Sequence, residues 1–225
     1  MQNFIQMTAS QYCKYARDVN DGKPPLAEMP QVKGDVSLVY MDWLKILPWA
    51  QFGDETHHYR LDLSNCKNLE VLQVKTTGFV DAACSGIRSI HPDCCFGDSK
   101  TGNSLWVCDC TNLEELRINA PGCVNANRSG IARIHPSSRF GKNEKGISLF
   151  VENCMNLKVL RVQAEGCVIA TNSGVAKIDA ITNIGPDKNG LYLDVAGCGP
   201  IISAKVFPKI LGVITQATPM SGFEF

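Results

Sequence analysis

The sequence predicts an α/β solenoid, an arc of stacked turns with one short parallel strand per turn and a helical cap at the N-terminal end. Two observations predict it. Cysteine recurs at Cys66, Cys110, Cys154 and Cys198, 44 residues apart each time, inside one apolar phrase. That phrase reads Leu61-Asp62-Leu63-Ser64-Asn65-Cys66, then Leu105-Trp106-Val107-Cys108-Asp109-Cys110, then Leu149-Phe150-Val151-Glu152-Asn153-Cys154, with a worn copy from Leu193 to Ile201. A second class of phrase lies between these copies, one residue shorter and with Ser85, Ser129 or Ser173 at the cysteine position. The first apolar positions fall at 36, 61, 80, 105, 124, 149, 168 and 193, in steps of 25 and 19 by turns. A fixed period of this kind means units that bury their apolar faces against one another, here eight turns in four pairs.

Taken in order, residues 1–25 read as the cap. Tyr12, Tyr15, Ala16 and Val19 recur at helical spacing behind Thr8, and the pattern stops at Asp21-Gly22-Lys23-Pro24-Pro25. Residues 26–214 carry the array. In each strand two apolar residues point inward and the one between them points out. The return segments supply more core through residues such as Leu69 and Leu72, and Phe52-Gly53, Phe96-Gly97, Phe140-Gly141 and Ile184-Gly185 recur one period apart. There the apolar residue is expected to plug the interior and the glycine to take a backbone angle that other residues resist. Residues from Val206 onward are expected to close the far end, with 215–225 as a loosely held tail.

The repeat, written L-x-L-x-x-N/C-x-L, resembles the leucine-rich-repeat family. Its alternating Cys/Ser ladder and Leu-Pro steps look like the arrays of bacterial proteins, including effectors delivered into host cells. The resemblance implies a protein-binding module, an effector or inhibitor, that takes a macromolecular partner on a concave sheet. The ubiquitin-ligase domain that follows the repeats in several such effectors has no counterpart in this sequence, and no ligase activity is carried over.

With 225 residues and 44% apolar content, the chain is long enough for one well-buried domain. Its formal net charge of zero argues against nucleic-acid or membrane-surface binding. No apolar run is long enough to span a bilayer, and the start lacks the basic and apolar regions of a secretory signal. A cytoplasmic protein, or one exported without a cleavable signal, is expected, with the monomer favoured and no cofactor. Eleven cysteines suggest disulfides or zinc, but the ladder cysteines are two turns apart, about 9.6 Å, beyond disulfide reach. His91 and His135 sit two turns apart in His-Pro steps and read as turn residues, so no metal site is expected.

The candidate partner surface is read from the outward column. Trp106, Phe150 and Ile169, with Phe79 and Tyr192 nearby, form an apolar patch with no interior to fill. Asp62, Asp81, Arg60 and Asn125 form a charged and polar neighbourhood that would set partner choice. As a carboxylate pair for acid–base chemistry, Asp62 and Asp81 lie on an open face where nothing raises a pKa. Cys108 has no base beside it. No catalytic residue is assigned. The alternatives are a β-solenoid enzyme acting on a polysaccharide and a self-assembling structural protein.

Overall fold

The computed structural model describes residues 4–54, 56–179 and 181–200, and the backbone of 203–204. The expected C-terminal closure from Val206 and the tail at 215–225 lie outside the described residues.

The described residues form an all-parallel, multi-sheet β structure with a single helix. Its largest sheet has eight strands: Val36–Ser37, Leu61–Asp62, Val80–Asp81, Asn103–Trp106, Cys123–Asn125, Ile147–Phe150, Cys167–Ile169 and Leu193–Asp194. Each lies beside the next in chain order, and Val36, Leu61, Val80, Leu105, Val124, Leu149, Val168 and Leu193 are mutual Cα partners along the row. A second side carries one four-stranded sheet from Ile5–Thr8 to Lys75–Thr76 and another from Asn119–Ala120 to Asn183–Ile184. Shorter sheets on a third side begin with Val71–Leu72, Glu115–Leu116 and Val159–Leu160. Leu61, Leu63, Leu69, Leu72 and their equivalents fill one continuous core between the sheets.

The strands are short because the chain bends sharply after each. Tyr40, Asn65, Cys84, Asp109, Arg128, Asn153, Asn172 and Gly197 all take left-handed backbone angles, with φ between 53° and 71°. After six of these bends the next residue, Cys66, Ser85, Cys110, Ser129, Cys154 or Cys198, turns inward and its polar atom donates to a buried carbonyl. The thiols of Cys110, Cys154 and Cys198 donate to Ala82, Ala126 and Ala170 at 3.2, 3.2 and 3.1 Å. Ser85 and Ser129 donate to the same two alanine carbonyls, Ala82 and Ala126. The alternation of cysteine and serine is thus a buried polar ladder that satisfies carbonyls freed at the bends.

The helix, Ala9–Asn20, starts behind Thr8, whose hydroxyl accepts from the Gln11 N–H while the Gln11 side chain accepts from the Thr8 N–H. It buries Tyr12, Ala16 and Val19. The Tyr12 hydroxyl donates to the Pro48 carbonyl at 2.8 Å, and its ring meets Phe52 edge-on.

Several expectations are corrected. The leucine-rich-repeat resemblance fails: among the described residues there is one helix in all, and the chain forms six parallel sheets rather than a repeating arc of strand and return. The class is accordingly not an α/β solenoid with a helical cap. The return segments are themselves strands, most of them only two residues long, too short for a period of two to show in sequence. Among the described residues there is also no curved concave sheet to host a partner, so the module built on that surface falls, and the effector and inhibitor readings with it. The polysaccharide-enzyme and self-assembly alternatives rested on the same solenoid and fall as well. The paired glycines divide: Gly53 has φ +82°, but Gly97, Gly141 and Gly185 do not. A side chain on those three would strike the carbonyls of Thr77, Pro121 and Glu165, so close approach of the backbone excludes one.

Candidate functional site

The 25-residue steps carry a loop that the 19-residue steps lack. Three such loops have one design: the backbone N–H groups of Ser99, Asn143 and Asp187 donate to the carbonyls of Asn103, Ile147 and Leu191, and Gly102, Gly146 and Gly190 supply positive φ. The Asn143 and Asp187 side chains each accept two further N–H groups within their loops. One more loop, the first of the four in chain order, precedes Leu61, where Asp54 accepts from Thr56 and His57. Those bonds hold the Asp54 carboxyl well below its ordinary range.

All four loops project beside the large sheet, two strand spacings apart, about 9.6 Å. The second and third lean together, with the Glu144 N–H donating to Thr101 at 3.0 Å, and the third and fourth do the same through Lys188 and Lys145 at 3.2 Å. Between the first and second, among the described residues, a groove of about 850 Å³ stays open. Phe79 on the intervening short step is its floor. Tyr59, Arg60 and His57 form one wall, Asp98, Ser99 and Lys100 the other, and Asp35 closes an end.

The groove is stiffly built. One Arg60 nitrogen, Nη2, donates to Asp62 and to Asp81, both at 2.9 Å, and the guanidinium lies 5.6 Å over the Phe79 ring. Phe79 in turn meets Trp106 edge-on at 5.1 Å. His57 stacks on Tyr59 with rings 15° from parallel. His58 Nδ1 donates to the Thr77 carbonyl.

The sequence-predicted residues are placed as follows. Arg60 and Phe79 line the groove, Asp62 and Asp81 anchor Arg60, and Trp106 braces Phe79. Phe150 and Ile169 are neighbours farther along the sheet, half-buried, and Tyr192 packs against the core. None of these three reaches the groove. Asn125 accepts the Asn127 N–H and serves the bend. Asp62, Asp81 and Asp194 do the same for Ser64, Ala83 and Ala196.

The open-face reading of Asp81 is corrected. It is 7% exposed, and burial pushes its carboxyl above the ordinary 3.8, against the pull of Arg60. Each carboxylate of the pair uses one oxygen on a bend and the other on Arg60. Burial pushes the Cys108 thiol up to about 11. His91 and His135 use Nδ1 to accept the N–H two residues on, and Asp179 at the next equivalent position does so with its carboxylate. All three are turn residues. Among the described residues no cluster of His, Cys, Asp or Glu could hold a metal ion.

Sequence reasoning missed Asp35, Tyr59, Asp98, Ser99 and Lys100. The signal was present in the alternating step, which marks where loops are added. It did not show that one inter-loop gap stays open.

A scan against protein-family models, a search of curated proteins and a search of solved structures each find no match.

Proposed function

We propose that this chain is a non-catalytic recognition protein that takes an extended segment of a partner polypeptide into the groove between its first two loops. The observation that supports the reading is the open gap itself. Two strand spacings leave room for one extended chain about 4.8 Å from each wall. The loops elsewhere meet through backbone hydrogen bonds of the kind such a guest would make. Both signs of charge line the groove, with Asp35 and Asp98 beside Arg60 and Lys100, which suits a polypeptide better than a polyanion. A saccharide is disfavoured because Tyr59 is stacked by His57 and Phe79 is covered by Arg60, so their faces are taken. Eleven free thiols favour a reducing compartment such as the cytoplasm.

Photo-crosslinking tests the reading. A photoreactive residue replaces Ser99 in one protein and Lys177, on the third side, in another. A protein partner captured from position 99 and not from 177 is the expected result. Equal capture from both, or capture from 177 alone, would overturn it.

A further inference from the structure

Cys84 and Cys108 stand just past the ends of neighbouring strands of the large sheet, Val80–Asp81 and Asn103–Trp106, where the Cys84 N–H donates to the Cys108 carbonyl at 2.8 Å. A parallel ladder bond of this kind brings two Cα atoms to about 5–6 Å, within the range that a disulfide spans. Direction agrees as well as distance. Cys108 follows inward-facing Val107 and so points out, and Cys84 occupies the left-handed bend position, where the chain turns its side chain outward before Ser85 goes in. Both thiols are half-exposed, unlike the buried ladder cysteines. The ladder cysteines two strands apart cannot bridge, and this diagonal pair between adjacent strands can.

We propose that Cys84 and Cys108 are a peroxide-sensitive thiol pair that closes to an intramolecular disulfide. The inference is independent of the polypeptide-binding reading. The Cys84 thiolate attacks a peroxide oxygen, forming a sulfenic acid and releasing hydroxide, or alkoxide from an organic peroxide. The Cys108 sulfur then attacks the Cys84 sulfur, the S–S bond forms, and the Cys108 proton leaves with the sulfenic hydroxyl as water. Two electrons pass from the thiols to the peroxide. Burial pushes the Cys108 thiol up to about 11, so its proton must be lost as it attacks, which makes closure the slower of the two steps. The bridge would tie adjacent strands beside Trp106, and a cellular dithiol would reopen it.

The test treats the folded protein with hydrogen peroxide, blocks remaining thiols by alkylation without reduction, and maps peptides by mass spectrometry. A Cys84–Cys108 linked peptide, with the intact monomer 2 Da lighter before alkylation and a melting point several degrees higher, is expected. Cys84→Ser or Cys108→Ser should abolish the link, and circular dichroism checks that each variant folds. If a variant does not fold, the wild-type map still decides. No linked peptide, or a link from either cysteine to another partner such as exposed Cys95, overturns the proposal.

Discussion

Eight residues at equivalent bends hold left-handed angles, yet the sequence suits them unequally. Asn65, Asn153, Asn172, Asp109 and Gly197 are residue types that tolerate this region, whereas Tyr40, Cys84 and Arg128 are not. Tyr40 is also 72% exposed, so little else holds it there. Tyr40→Asn should raise stability by about 1 kcal/mol in urea titrations, and Asn153→Val should lower it by at least as much. A destabilised Tyr40→Asn protein would show that the tyrosine ring supplies contacts that outweigh the strain. The bends were partly legible in the sequence: Asn or Asp before the ladder cysteine is a turn signal. Arg128 and Cys84 carry no such signal, and only their place in the repeat marks them.

Asp81 gives a second residue-scale test, in pH. Its carboxyl is raised chiefly by burial, so over a window above 3.8 the folded chain holds a proton that the unfolded chain has lost. The contribution is full below 3.8 and is lost as pH rises through the folded value. Asp81→Asn keeps an acceptor for the Ala83 N–H and removes the titration. As pH falls toward 3.8, the wild type should therefore gain stability relative to the variant. Parallel stability curves would contradict the burial of this carboxyl.

At the scale of elements, the chain is held as much by absent side chains as by present ones. Gly97, Gly141 and Gly185 let one return segment pass over the carbonyls of the segment before it. Gly141→Ala should cost about 3 kcal/mol or more, because the atom blocking the new methyl is backbone and cannot rotate away. Thr8→Ala removes one half of the capping box on the helix and should cost about 1 kcal/mol, read by thermal unfolding. Recurrence of Phe-Gly marked the place of these glycines but not the reason for them. A positive angle was expected at all four, and the structure gives it to Gly53 alone. The family resemblance misled in a similar way. Leu69 and Leu72 fill the core, but the backbone between successive bends forms brief parallel strands on two further sides, a geometry that apolar spacing alone does not separate from irregular return.

Over the whole molecule, alternation of long and short steps adds loops beside a uniform sheet and leaves a groove open between the first two of them. The period showed where apolar residues repeat, because burial forces one residue type at each inward position. Loop contents are solvated and free to vary, so nothing in the pattern foretold that Thr101 would meet Glu144 while Lys100 would face a gap. Lys100→Glu reverses a groove charge without touching the core and should weaken a groove-bound partner by about three- to tenfold at low salt, with less effect at high salt.

All of this rests on the strands lying side by side in chain order. Paired spin labels, introduced as non-cysteine amino acids at Tyr40 and Asn172, span the bends of the first and seventh strands of the large sheet. Six strand intervals separate them, so a dipolar distance centred near about 29 Å is expected. A distance well short of that, or one spread broadly with no maximum there, would mean that the strands do not stack in this order, and the groove between the loops would go with them.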